Sequence, residues 1–154
     1  MGKLSITKIF SFEAAHALKN YDGLCANIHG HSYKLEVTVH SLSINGNPGD
    51  FLRNEANPKC GMILDFGDLK KCVNQYIIEE FDHALILNKQ TDPSLIASLQ
   101  KNYQKILVFP FQPTSENLLL EFASRLLKNL PINIHLAKIR LYETSTSFTD
   151  WENE

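Results

Sequence analysis

Residues 29–40 read His29-Gly30-His31-Ser32-Tyr33-Lys34-Leu35-Glu36-Val37-Thr38-Val39-His40. From Tyr33 onward, apolar and polar side chains alternate strictly. Alternation with period two marks a strand with one buried face, here over residues 33–42. Residues two apart on a strand point to the same side. His29 and His31 therefore share a face, and His31 continues the inward series Tyr33, Leu35 and Val37. Gly30 has no side chain between them, so the backbone there is free to bend.

Two other stretches carry the same kind of pattern. In residues 4–16, Leu4, Ile6, Phe10, Phe12 and Ala14 share one parity, broken only by Lys8, and His16 ends the series. In residues 136–144, Ala137, Ile139 and Leu141 oppose Lys138, Arg140 and Tyr142, and Glu143 follows in the inward parity. Gly61-Met62-Ile63-Leu64-Asp65 is a shorter strand candidate. The first two strands are close enough in sequence to pair antiparallel.

Helical spacing of apolar residues predicts a helix over Asp68–Phe81, with Asp68 as N-cap, and a second over Thr114–Leu130. Pro113-Thr114-Ser115-Glu116 supplies the start signals of the second and Pro131 its stop. Residues 45–60, rich in Gly, Asn and Pro, form a long loop. Residues 88–112 admit a short helix near Pro93–Gln104 and an apolar run from Ile106 to Phe111. The order of elements predicts one α+β domain over residues 1–154, an antiparallel sheet with helices on one face.

Composition narrows the function. The 154 residues carry a net charge of −2 with both signs dispersed, which disfavours nucleic acid as a partner because phosphate binding needs a basic stripe. No apolar run approaches the roughly 20 residues that span a bilayer. Met1-Gly2-Lys3-Leu4-Ser5 leads into the first strand without a secretory segment, so a cytoplasmic location is expected. Cys25, Cys60 and Cys72 are odd in number and irregular in spacing, unlike a disulfide framework. Cys72 falls in a helical pattern and is expected to pack in the core; Cys60 lies in a polar loop and receives no role. There is no phosphate-cradling glycine loop and no serine nucleophile elbow.

The chemistry gathers on a few positions. Three imidazoles, those of His16, His29 and His31, on one inner face suit Zn²⁺, one ion per subunit, and leave a fourth position open, which favours catalysis over a closed structural site. His40 and His135 fall outside that pattern and read as surface or edge residues. Two roles are open to Cys25, four residues before His29. It closes the coordination sphere as a fourth ligand, or it stays free as a thiol that a nearby dication turns toward the thiolate. Asp82 and His83 form an acid–base pair, or else cap a helix end and face solvent. Glu143 either meets a ligand able to donate two parallel N–H bonds or turns to water.

These residues together resemble the 6-pyruvoyl-tetrahydropterin synthase / 6-carboxy-tetrahydropterin synthase family. The matching segments are Phe12-Glu13-Ala14-Ala15-His16, Cys25 to His31, Ile63-Leu64-Asp65-Phe66, Phe81-Asp82-His83, Pro113-Thr114-Ser115-Glu116-Asn117 and Tyr142-Glu143-Thr144. They occur in the family's order and span nearly the whole chain. The resemblance implies the tunnelling fold: an antiparallel four-stranded sheet backed by two helices, with subunits in trimeric barrels and two trimers stacked as a homohexamer with interfacial active sites. It implies that His16, His29 and His31 hold zinc, that Cys25, Asp82 and His83 move protons, and that Glu143 anchors the pterin with Thr114, Ser115 and Glu116 nearby. The implied substrate is 7,8-dihydroneopterin triphosphate.

The short gap between Cys25 and His29 looks like the bacterial carboxy branch. That branch releases acetaldehyde and triphosphate and forms 6-carboxy-5,6,7,8-tetrahydropterin on the way to queuosine. The alternatives are the pyruvoyl product of the tetrahydrobiopterin-type pathway, an aldolase or epimerase acting on a dephosphorylated pterin, and a non-catalytic zinc-stabilised binding module. Segments 45–60 and 88–112 are longer than in compact members of the family.

Overall fold

A computed structural model describes residues 4–41 and 55–153. Strands β1 (Ile6–His16) and β2 (His29–Ser41) pair antiparallel in unbroken register from Ile6 opposite Val39 to His16 opposite His29. Helix α1 runs from Phe66 to Phe81, widening to a π-turn over Asn74–Ile78. Then follow β3 (Ala84–Asn88), α2 (Pro93–Asn102), β4 (Ile106–Phe109), α3 (Ser115–Asn129), β5 (Ile134–Thr144) and β6 (Ser147–Glu152).

Among the described residues the sheet is six-stranded and mixed, in the order β4-β3-β1-β2-β5-β6, where four antiparallel strands and two helices were expected. The β1, β2, β5 and β6 neighbours are antiparallel, while β3 and β4 run parallel, β3 against Ala14–His16 of β1 and β4 against β3. The two parallel strands escape an alternation test because each is a short, continuous apolar run; in β3, Ala84, Ile86 and Leu87 are all buried, while the four residues of β4 are half-buried. With α2 between them they form a βαβ unit, which accounts for the length of segment 88–112.

Other boundaries shift for local reasons. Residues 61–64 are turns and bends rather than a strand, and Asp65, not Asp68, caps α1, its carboxylate accepting from the Gly67 N–H at 2.6 Å. Asp68 is instead paired with Lys59. Ala137 is not inward: a bulge opposite Thr38 and Val39 resets the register, so Leu136 is buried in its place. Thr114 caps α3 through the Asn117 N–H as expected, and Leu130 turns extended before Pro131. The buried face of α3 is Leu118, Leu119, Phe122, Ala123 and Leu126, while Leu127 is exposed. Most of the 45–60 loop lies outside the described residues; 55–60 are turns.

The core lies between one sheet face and helices α1 and α3. Tyr33, Leu35, Val37 and Val39 of β2 meet Phe81 of α1 and Leu118, Phe122 and Leu126 of α3. Cys72 packs against this cluster and burial raises its thiol pKa. Among the described residues, no helix is long and apolar enough to cross a membrane. Replacing Asp65 with alanine leaves an N-terminal donor of α1 uncapped and is expected to lower stability by about 1 kcal/mol, read by urea unfolding.

Candidate metal centre and active site

At the end of the β1–β2 ladder the register sets His16 directly opposite His29, with His31 opposite Ala14. The three rings cluster with centroids 4.5–5.1 Å apart. A nitrogen from each lies within 4.8 Å of the others. The strands run close at Gly30: a Cβ at that position would stand 3.3 Å from the Ala14 carbonyl oxygen.

The hydrogen bonds dictate which nitrogens face inward. His16 Nδ1 lies 2.6 Å from the Pro113 carbonyl and His29 Nδ1 2.8 Å from the Asn27 carbonyl. Carbonyls only accept, so both Nδ1 atoms carry the proton, and in the neutral rings both Nε2 atoms are bare lone pairs. Yet the two Nε2 atoms are 3.0 Å apart. Two lone pairs at that distance repel unless a cation sits between them. His31 Nε2 is buried with no partner. Nitrogens about 2.0–2.1 Å from a tetrahedral ion lie roughly 3.3–3.4 Å from one another. The donor set therefore fits a divalent metal ion held by His16, His29 and His31, and outer carbonyls fix two of the three rings, as ligating histidines require.

Electrostatics agree with that role. His16 is buried, and burial lowers its pKa against the opposing pull of the Pro113 carbonyl and the Glu143 carboxylate. It is held as the neutral imidazole that a metal needs. Glu143 Oε1 lies 4.0 Å from His16 Nε2, so this carboxylate does border the cluster. Tyr33, stacked on Phe12, closes the floor; its hydroxyl is buried without a partner.

The remaining residues singled out in the sequence lie outside the histidine triad. Cys25 sits half-buried on a short turn, Leu24–Ala26, and is not a member of the histidine cluster. Asp82 ends α1. One carboxylate oxygen accepts from the Glu13 N–H at 2.9 Å and the other faces His83 Nδ1 at 3.0 Å. That backbone bond, then the His83 contact, lowers the Asp82 pKa. His83 adopts a left-handed backbone, φ 62°, and its N–H donates to the Glu13 carbonyl. Non-glycine residues take that conformation at a cost, repaid here by the two ties to β1. Its ring lines a cleft of about 360 Å³ together with His31, Gly30 and Ser32.

Thr114 spends its hydroxyl on the α3 cap, Ser115 bonds Thr149 of β6 at 2.8 Å, and Glu116 is exposed. His40 and His135 face each other across β2 and β5 with rings tilted by 34° and centroids 4.5 Å apart, at the other end of β2 from the cluster. Sequence reasoning missed the Pro113 and Asn27 carbonyls and the Tyr33 hydroxyl. Carbonyls are common to every residue, so only the ring orientations reveal them.

Comparisons with known proteins meet this geometry from outside. The family model described as 6-pyruvoyl tetrahydropterin synthase matches residues 5–154. The 6-carboxy-5,6,7,8-tetrahydropterin synthase of Haemophilus influenzae is 36% identical over 149 residues, covering 96% of this chain and 97% of the relative. Among solved structures, an uncharacterized protein from Wolinella succinogenes superposes with a TM-score of 0.77 at 20% identity, covering all of both chains. The 6-pyruvoyl tetrahydropterin synthase of Caenorhabditis elegans does so with a TM-score of 0.62 at 24% identity, covering 100% of this chain and 98% of that one. These two likenesses speak for the fold. The family model and the Haemophilus relative, each spanning nearly the whole chain, go further: the chain belongs to the 6-pyruvoyl tetrahydropterin synthase family.

Proposed function

We infer that this protein is a 6-carboxy-5,6,7,8-tetrahydropterin synthase, a zinc-dependent lyase that converts 7,8-dihydroneopterin triphosphate with release of acetaldehyde and triphosphate. The observation that carries the metal chemistry is the pair of facing Nε2 lone pairs of His16 and His29 beside the orphaned His31 Nε2. The branch rests on the near-full-length likeness to the Haemophilus enzyme. Three neutral imidazoles and an open fourth position favour zinc. Bound there, zinc supplies Lewis acidity that makes the substrate's side-chain O–H and adjacent C–H protons easier to remove.

The protein's own groups do the rest. Cys25 takes and returns a proton as general base and acid. Asp82 holds the His83 Nδ1–H, which leaves Nε2 bare to accept a proton. The exposure of His83, 76% for its side chain, suits a group that exchanges protons with substrate or water. Glu143 accepts the paired N–H groups of the pterin edge and so sets the distance between ring and metal. Thr114, Ser115 and Glu116 border that pocket. The assembly is a homohexamer of two stacked trimers, a reading supported by β4 and β6 standing as the outer strands of the sheet among the described residues; sedimentation tests it.

Mass-spectrometric analysis of products from dihydroneopterin triphosphate tests the reading. Acetaldehyde and a 6-carboxy pterin are expected in equal amounts with triphosphate. A pyruvoyl pterin without acetaldehyde overturns the branch, and turnover of only the dephosphorylated pterin overturns the substrate.

A further inference from the structure

The side chain of Gln112 makes more structural contacts near the site than any role assigned so far uses. Its Oε1 accepts from the Lys19 N–H at 3.0 Å, and its Nε2 donates to the Lys19 carbonyl at 2.5 Å. One side-chain amide thus satisfies both backbone groups of one residue, as a neighbouring strand would. Lys19 lies just past the end of β1, where the chain has left the sheet. Behind Gln112, the buried Asn88 at the end of β3 donates to the same Oε1 at 3.2 Å and accepts from the Gln90 N–H at 2.9 Å. The Gln112 backbone is fixed as well, its carbonyl accepting from Thr114 N–H at 2.8 Å and from the Asn117 side chain at 3.0 Å.

Two parts of the site hang from this point. Next in sequence is Pro113, whose carbonyl orients the His16 ring. Next to Lys19 is Leu18, whose N–H donates to the Cys25 carbonyl at 2.9 Å and whose carbonyl accepts from Tyr21 N–H. The Leu24–Ala26 turn is otherwise exposed and buries no residue of its own. Such a turn holds its thiol in place only as well as its base is held.

We propose that Gln112, backed by Asn88, is a positioning residue that fixes the Cys25 turn relative to the His16 end of the metal centre. This rests on the proton-transfer role given to Cys25 above. The polarity of the clamp matters: glutamate at 112 keeps the acceptor for Lys19 N–H but sets a carboxylate oxygen against the Lys19 carbonyl.

The test compares Gln112→Ala and Gln112→Glu with the metal-loaded wild type. Steady-state kinetics are measured alongside peptide-resolved iodoacetamide labelling of the three cysteines. Both variants are expected to lose at least about 10-fold in kcat with KM changed far less, since small misplacements of a reacting group carry penalties of that size. Cys25 labelling is expected to change several-fold while Cys60 and Cys72 label as before; a purely structural loss would move all three or none. Gln112→Asn, whose shorter amide cannot span both Lys19 groups, is expected to recover only part of the rate. Wild-type kcat and unchanged Cys25 labelling in Gln112→Glu overturn the inference. Should Gln112→Ala fail to fold, Gln112→Glu and Gln112→Asn still decide it. Full activity in Cys25→Ala overturns the underlying reading instead, so the two failures are distinct.

Discussion

Replacing Cys25 with alanine is expected to leave one metal ion bound per subunit and to lower kcat by about 10²–10⁴, the usual range for removing a general acid–base group. The expectation follows from where the thiol sits. The three imidazole nitrogens form the cluster without it, and the turn that carries it is tied to Leu18 through a backbone carbonyl that alanine retains. Nothing that orients His16 or His29 passes through the sulfur. Serine at the same position is not expected to rescue, because a hydroxyl is far less acidic than a thiol, whose ordinary pKa is about 8.5. Metal content by atomic spectrometry and steady-state rates decide the matter together. A variant that loses the metal along with activity makes Cys25 a ligand and the site a closed, structural one.

The difference between these outcomes could not be read from spacing alone, and the reason is geometric. Alternation located β1, β2 and β5 and set His16, His29 and His31 on one side, because period two is a local property that a core-facing strand imposes on its own residues. It could not say that Cys25 stands apart, since the path from Cys25 to His29 is a turn without periodicity. Nor could it find β3, β4 and β6. The first two are too uniformly apolar to alternate, and the six residues of β6 offer only Thr149 and Trp151 as half-buried positions. Asp82 and His83 were visible as a dipeptide. Their attachment to Glu13 of β1 was not, because it depends on a parallel pairing of β3 with only three residues of β1. The same holds for Gln112, whose partners Lys19 and Asn88 lie 93 and 24 residues away.

Removing the metal, by chelation or by His29→Ala, is expected to abolish turnover and leave the fold in place. The core does not depend on the cluster: Leu35, Val37, Ile77, Phe81 and Phe122 are buried deeper along the sheet, and the β1–β2 ladder continues ten residues beyond the His16–His29 pair. Far-UV circular dichroism of the chelated protein should match the loaded form. The melting temperature should fall, because an ion present at 100 times its Kd contributes about 2.7 kcal/mol. The pH dependence has a definite sign. Above the ordinary histidine value of 6.5, His16 is neutral whether folded or not. Below it, the unfolded chain takes up a proton that the folded, buried ring resists, so metal-free protein loses stability as the pH falls. Metal affinity falls in the same direction, since protons compete for the same nitrogens. Isothermal titration across pH 5.5–8 should therefore show tighter binding at higher pH, with proton release on binding. If chelation instead unfolds the protein at neutral pH, the metal supplies folding energy and the non-catalytic module is the better reading. The packing argues against that outcome, because the cluster sits at the end of a sheet whose core is already complete without it.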